Sequence, residues 1–222
     1  FSTRNSCNLR NTMLNKLMVI AAVFATACGP PVRQEPERTP YSDNDYRPSD
    51  FEVEEGAPAG TANCPNRDNT VGLNIGDTFP SVQYPNAEWD PVNIKSMCGN
   101  KGILVISATE WCMACIVELY HLATVAPDWK DRGGVIYYTL YEDRARQPAS
   151  KATLVKFEQI LLEDFGYLPF QILSDRTASL PRSLGRGLSL PLSWILDEEM
   201  VIKNFSEGTN GDMVSRWMEE LL

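Results

Sequence analysis

The stretch Trp111-Cys112-Met113-Ala114-Cys115 decides the fold, because it lies where a predicted strand passes into a predicted helix. Residues 102–107 are short, branched and apolar, which is typical of a strand covered on both faces. From about residue 112 to 129, apolar residues recur at spacings of three and four, which predicts a helix. The first thiol then lies at a helix N-terminus, where unpaired N–H groups and the helix dipole favour a thiolate. The second thiol follows nearly one turn later on the same face, so the pair can act as a reversible dithiol switch.

A metal site is the main alternative interpretation of the two cysteines. Zinc usually needs four ligands, but the only histidine is His121 and no second close cysteine pair exists. A two-cysteine Cu(I) site stays open, since soft thiolates suit that ion, and so does a purely structural disulfide. We expect His121 to occupy a half-exposed helix position without a catalytic role.

Length and charge restrict the classes of function. The chain has 222 residues, room for one domain with a full core plus appendages. Its formal net charge is -9 and its pI about 4.7, so the composition does not favour a nucleic-acid partner.

The N-terminal region has the composition of an export signal. Residues 17–27 are apolar but too short to span a bilayer, which suits the apolar part of a signal peptide covering residues 1–27. The segment Ala25-Thr26-Ala27-Cys28 resembles a bacterial lipobox, apart from Ala25 where leucine is usual. That resemblance implies lipidation of Cys28, and ordinary cleavage after Ala27 is the alternative.

Residues 28–68 are rich in proline and charge and lack a periodic apolar pattern, which predicts a flexible tether before a domain at residues 69–222. Several acyl chains on Cys28 would anchor the protein stably to a membrane. Gly29 follows Cys28. An aspartate at this position would resemble the signal that retains lipoproteins in the inner membrane, and it is not present here. We therefore expect a lipid-anchored protein of the bacterial cell envelope on the periplasmic side, with the outer membrane favoured.

The remaining sequence predicts an α/β domain with a central mixed sheet flanked by helices. Patterns after residue 130 predict strands at 135–140 and 170–173, helices at 151–164, 179–184 and from 212, and a hairpin of strands 191–196 and 201–205.

This order of elements and three motifs resemble the thioredoxin-like superfamily, in its TlpA-like and redoxin branch. Residues 75–80 are similar to the Gly-Asp-x-x-Pro start of redoxin domains, Trp111 precedes Cys-x-x-Cys, and Leu190-Pro191 precedes the hairpin. The resemblance implies a thioredoxin fold with an N-terminal extension and an insertion at 142–184. It also implies that Pro191 is cis and packs against the active-site disulfide, and that no cofactor is needed beyond that disulfide.

Many thioredoxins have a buried acidic residue that assists proton transfer. In this sequence Ile106 occupies that position, so the acid is replaced by an apolar residue. Proton handling must then fall to Glu110, Glu118, water or the substrate. TlpA-like proteins often carry glutamate at the position of Glu118, although a glutamate on an exposed helix face is usually only solvated. Trp111 is a candidate for shielding the disulfide and forming part of the substrate-docking surface.

Cys64 and Cys98 are left unassigned by these motifs. Two such cysteines in an exported protein usually form a structural disulfide, which here would clamp the end of the tether onto the domain. A resolving or relay role is the alternative.

The resemblance implies a thiol–disulfide oxidoreductase that exchanges disulfides with protein substrates and is recharged by a membrane redox partner, with reduction the favoured direction. A copper-handling lipoprotein with the same fold is the non-enzymatic alternative. A peroxiredoxin-like peroxidase is a further one, since Thr109-x-x-Cys112 matches half of the Pro-x-x-x-Thr-x-x-Cys signature, with Val105 at the proline position.

Overall fold

The computed structural model describes residues 70–185 and 187–222, and its centre is a strand buried along its whole length. All eight residues of this strand are buried because strands pair on both of its edges and side chains pack on both of its faces. The strands are β1 (Gln83–Pro85), β2 (Pro91–Asn93), β3 (Gly102–Thr109), β4 (Gly134–Glu142), β5 (Gln171–Ser174), β6 (Leu192–Asp197) and β7 (Ile202–Glu207). The helices are α1 (Met113–Arg132), α2 (Lys151–Phe165), α3 (Ser179–Leu184) and α4 (Gly211–Leu221), with a 3₁₀ helix at Ile94–Met97.

Five strands form a mixed sheet in the order β5-β4-β3-β6-β7. β3 pairs in parallel with β4, and β4 with β5, whereas β3–β6 and β6–β7 are antiparallel. The two parallel connections run through α1 and α2, as parallel strands require a crossover. Ile106 of β3 lies between Tyr138 of β4 and Ser193 of β6.

The sheet has a packed core on each face, and alternate residues of β3 divide between them. Leu104 and Ile106 belong to a cluster with side chains of α1, α2 and α4. Ile103 and Val105 belong to a second cluster, which the segment 73–97 and Leu180 of α3 cover. The chain that precedes β3 therefore supplies most of the cover on the face opposite α1.

The predicted α/β class, the mixed sheet and its order of elements are confirmed. The opening segment 72–79 forms no regular strand and pairs only through isolated bridges, such as Thr78 with Val201. The small β1–β2 hairpin and the 3₁₀ helix after it were not predicted. The predicted signal peptide, the tether, Cys28 and Cys64 lie outside the described residues and stay predictions.

We expect Leu104→Ala to destabilise the domain by roughly 2–5 kcal/mol, because it removes a fully buried side chain and leaves a cavity. Leu162→Ala on α2 is the matched control, since Leu162 is 46% exposed and should cost far less. Urea unfolding of both oxidised variants measures the difference. Equal losses would contradict the packing described for β3.

Candidate active site

Cys112 and Cys115 form a disulfide where β3 passes into α1. Cys112 is the N-cap of α1 and is 7% exposed, whereas Cys115 lies in the first turn and is fully buried. Thiol–disulfide exchange needs access to the sulfur that is attacked. An incoming sulfur can therefore reach Cys112 first. Cys115 is positioned to attack Cys112 from within the protein.

The first turn of α1 favours negative charge on Cys112. The Cys112 Sγ accepts a hydrogen bond from the backbone N–H of Cys115 at 3.1 Å. No acidic residue stands in that first turn to oppose the helix dipole. A thiolate at this position would gain a charge-assisted hydrogen bond from a donor that is already in place.

Pro191 lies at the same end of the sheet as the disulfide. The Leu190–Pro191 peptide bond is cis, as the resemblance implied. Pro191 is buried and directly precedes β6, whose Leu192 pairs with Ser107 of β3. This register places Pro191 beside the carboxyl end of β3, from which the chain continues into α1. Its part in substrate binding stays a prediction.

Trp111 is held in place by the last residue of β4 and by the loop that follows it. The indole Nε1 donates a hydrogen bond to the Glu142 carboxylate at 2.8 Å. The guanidinium carbon of Arg146 lies 4.1 Å from the centroid of the indole ring. The sequence predicted only an insertion at 142–184 and neither contact, because no local pattern links this segment to Trp111.

Glu110 is buried but already paired. Its carboxylate forms an ion pair with Lys156 of α2 and accepts the backbone N–H of Arg144 at 3.0 Å. The Arg144 side chain lies 3.9 Å from the same carboxylate. These contacts attach the segment before Cys112 to the loop after β4. A carboxylate fixed in this way is better suited to holding Trp111 in position than to moving protons.

Glu118 lies on the buried side of α1, so the expectation of a solvated glutamate is wrong. The residue is 1% exposed, and neither carboxylate oxygen has a hydrogen-bond partner of good geometry among the described residues. The helical spacing places it one turn after Cys115 on the face that packs against the sheet.

Burial raises the pKa of Glu118 from 4.5 to about 7. The backbone of Asn210 opposes this rise, and the negative charge of Asp212 adds to it. Tyr138 of β4 lies nearby; burial raises its pKa, and the charge of Glu118 raises it further. The Tyr138 hydroxyl donates to the carbonyl oxygen of Cys115 at 2.8 Å, so Glu118, Tyr138 and Cys115 share one buried region.

The other predicted residues lie outside this region. His121 occupies the expected half-buried helix position, and its Nε2 lies 2.8 Å from the Ser215 hydroxyl of α4. Cys98 precedes β3, with its Sγ 3.4 Å from the carbonyl oxygen of Glu198. The pairing of Cys98 with Cys64 stays a prediction.

Among residues 70–185 and 187–222, no three histidine, cysteine, aspartate or glutamate residues are grouped as a metal site would require. Within the same residues, no helix has both the length and the apolar character needed to cross a membrane.

Known proteins match both the sequence and the fold. The description "AhpC/TSA family" applies to a match over residues 75–205, more than half of the chain. The chain belongs to the AhpC/TSA family. Together with the fold, this match confirms the predicted membership of the thioredoxin-like superfamily. No curated protein matches the sequence significantly.

Solved structures resemble this AhpC/TSA member in fold at low sequence identity. A candidate thiol:disulfide interchange protein DsbE from Chlorobium tepidum has a TM-score of 0.53 at 16% identity, covering 67% of this chain and 96% of its own. The thioredoxin domain of a thiol-disulfide oxidoreductase from Bacteroides vulgatus gives 0.52 at 19%, with 68% and 100% covered. A cysteine-to-serine mutant of peroxiredoxin 6 from Arenicola marina gives 0.53 at 16%, with 68% and 74% covered. These likenesses establish the thioredoxin-like fold.

We expect Glu118→Gln to remove a pH dependence of stability. Between pH 4.5 and about 7 the folded protein keeps a proton on Glu118 that the unfolded chain releases. The stability of wild type should therefore be highest below about pH 4.5 and fall by roughly 2–3 kcal/mol as the pH rises through 7. Urea unfolding of the oxidised protein across this range measures the fall.

The Glu118→Gln variant should show a flatter profile and should exceed wild type in stability at about pH 8. Glu163→Gln on α2 is the control, since Glu163 is exposed. If Glu118→Gln retains the full slope, the buried carboxyl is not its source.

Proposed function

We propose that this protein is a thiol–disulfide oxidoreductase of the bacterial cell envelope that reduces disulfides in protein substrates. One observation carries the proposal: a disulfide at a helix N-terminus has one reachable and one buried cysteine, with a buried carboxyl that titrates near neutral pH beside it. The reaction needs no cofactor besides the two cysteines.

In the first step, the Cys112 thiolate attacks one sulfur of the substrate disulfide. A bond forms between Cys112 and that sulfur, the substrate disulfide breaks, and one substrate sulfur leaves as a thiolate that takes up a proton. The hydrogen bond from the Cys115 N–H and the N-terminus of α1 hold the attacking thiolate ready.

In the second step, Cys115 loses its proton and attacks the Sγ of Cys112. The Cys112–Cys115 disulfide forms, the mixed disulfide breaks, and the second substrate thiolate leaves; two electrons have passed to the substrate. Glu118 is the base that we assign to the Cys115 proton. Its pKa of about 7 matches a thiol that must ionise near neutral pH.

Sequence features support an envelope location. The predicted signal peptide and lipidation of Cys28 would place the domain outside the cytoplasm on a tether of residues 28–68. An oxidised domain there needs an electron supply, so we propose a membrane redox partner that returns the Cys112–Cys115 pair to the dithiol. The outer membrane is the favoured site of anchoring.

The reduction potential of the Cys112–Cys115 couple tests the direction of the reaction. Met113 and Ala114 add no charge between the cysteines, so we expect a value close to that of thioredoxin, about -270 mV. Equilibration of the protein in dithiothreitol or glutathione buffers measures it. A value near about -120 mV would make the protein an oxidant and overturn the reductase proposal. Failure to form the disulfide, with tight Cu(I) binding, would favour the copper-handling alternative.

The two cysteines should behave differently when each is replaced. Reduced Cys115→Ser should accumulate a mixed disulfide between Cys112 and a model protein disulfide, because no second thiol remains to release it. Cys112→Ser should accumulate little adduct, since Cys115 is fully buried. Mass spectrometry of the acid-quenched mixtures measures both adducts. Equal trapping by both variants would contradict the assigned order of attack.

A peroxidase is the second candidate, favoured by Thr109. This residue is fully buried three positions before Cys112, and its hydroxyl has no hydrogen-bond partner among the described residues. A hydroxyl at this point could bind a peroxide oxygen beside Cys112. Rapid consumption of one peroxide per dithiol, lost in Thr109→Val, would establish peroxidase activity. Slow consumption that Thr109→Val leaves unchanged would exclude that assignment.

A further inference from the structure

The last residue of β4 and the loop that follows it lie beside Trp111, and we name these residues, 142–150, the collar loop. Within it, Asp143 accepts backbone N–H groups from Ala145 at 2.8 Å and Gln147 at 2.9 Å. An isolated bridge joins Glu142 to Pro148. The collar loop is therefore held by its own hydrogen bonds as well as by its contacts with Glu110 and Trp111.

Arg146 occupies a backbone conformation that its side chain disfavours. Its φ is +59°, in the left-handed region that glycine and asparagine adopt more readily. Such a conformation is strained in a residue with a bulky side chain. The backbone conformation of this turn would favour glycine or asparagine. The presence of arginine therefore calls for a role of its side chain.

The Arg146 guanidinium is placed to bind an anion. It stacks on Trp111 at 4.1 Å, while the residue remains exposed. Among the described residues, no carboxylate forms a hydrogen bond or ion pair with it; Glu142, on the same indole, bonds to Nε1 instead. Stacking occupies a face of the guanidinium and leaves the N–H groups in its plane able to bind a carboxylate at two points.

The charged side chains named at the collar loop and Glu110 balance in number. The whole chain carries a net charge of -9. The local basic side chains equal the acidic ones in number, since Arg144, Arg146 and Lys156 face Glu110, Glu142 and Asp143. An acidic segment would thus meet less repulsion here than over most of the surface.

We infer that Arg146 is a specificity-determining residue, which binds the carboxylate of an aspartate or glutamate side chain close in sequence to the substrate cysteine. Trp111 directly precedes Cys112, so a substrate bonded to Cys112 passes near the Trp111–Arg146 stack. Because Trp111 is the sequence neighbour of Cys112, we place the acidic residue within a few positions of the substrate cysteine. This inference rests on the proposed oxidoreductase function.

Two peptide disulfides test the inference, identical except for glutamate or glutamine two residues from the cysteine. The reduced protein reacts with each, and the second-order rates are divided by the rates with dithiothreitol to remove differences in intrinsic reactivity. We expect wild type to prefer the glutamate peptide by ~2–5-fold, the scale of an exposed ion pair. Arg146→Gln should abolish that preference, and Arg146→Lys should retain only part of it.

Arg216→Gln on α4 is the matched control, because Arg216 is exposed and the substitution changes net charge equally. Arg146→Gly separates loss of binding from loss of stability. Glycine relieves the backbone strain, so this variant should unfold at no lower urea concentration than wild type and should still lose the preference. Equal normalised rates in wild type, or a preference that survives Arg146→Gln, would overturn the inference alone. Failure of wild type to reduce either peptide would overturn the oxidoreductase proposal as well.

Discussion

The burial of β3 on both faces and both edges is the constraint on which the site depends. A strand that pairs with β4 and β6 and packs into two clusters has no freedom to shift along its axis. Its carboxyl end therefore fixes the first turn of α1 and the position of Cys112. Pro191 reaches the same place through the register of β6 with β3. The geometry of the disulfide thus follows from pairings made several residues away.

The same packing explains why a helix rather than the sheet supplies the buried acid. Ile106 is fully buried in the cluster beneath α1, so the position that often carries an acid in thioredoxins is apolar. Tyr138 pairs with Ile106 in register and bonds to the carbonyl oxygen of Cys115. Glu118 enters this region from α1, and its removal from water raises its pKa towards neutrality. An acid placed on α1 keeps a fixed relation to Cys115, because one rigid helix carries both residues.

The fold was predictable from sequence to the extent that its signals were local. The apolar run of β3 and the helical spacing of α1 each indicate an element without knowledge of its neighbours. The cover provided by residues 73–97 was missed, because it consists of short and irregular segments. The side chains around the cysteines were missed for a related reason: contacts of Glu142 and Arg146 with Trp111 join positions more than thirty residues apart.

In the proposed reaction, the residues assigned to substrate docking and those assigned to proton transfer belong to different elements around Cys112 and Cys115. The residues that contact Trp111 belong to the collar loop. The groups that shift the pKa of Glu118 include Asn210 and Asp212 at the start of α4. A protein substrate docked over Trp111, as we propose, would exclude water from the substrate side of the disulfide. The proton of Cys115 must nevertheless leave before the mixed disulfide can be resolved. In the proposed reaction, a buried carboxyl bordered by α4 would accept that proton while the substrate stays bound, so resolution would not have to wait for the docked surface to open.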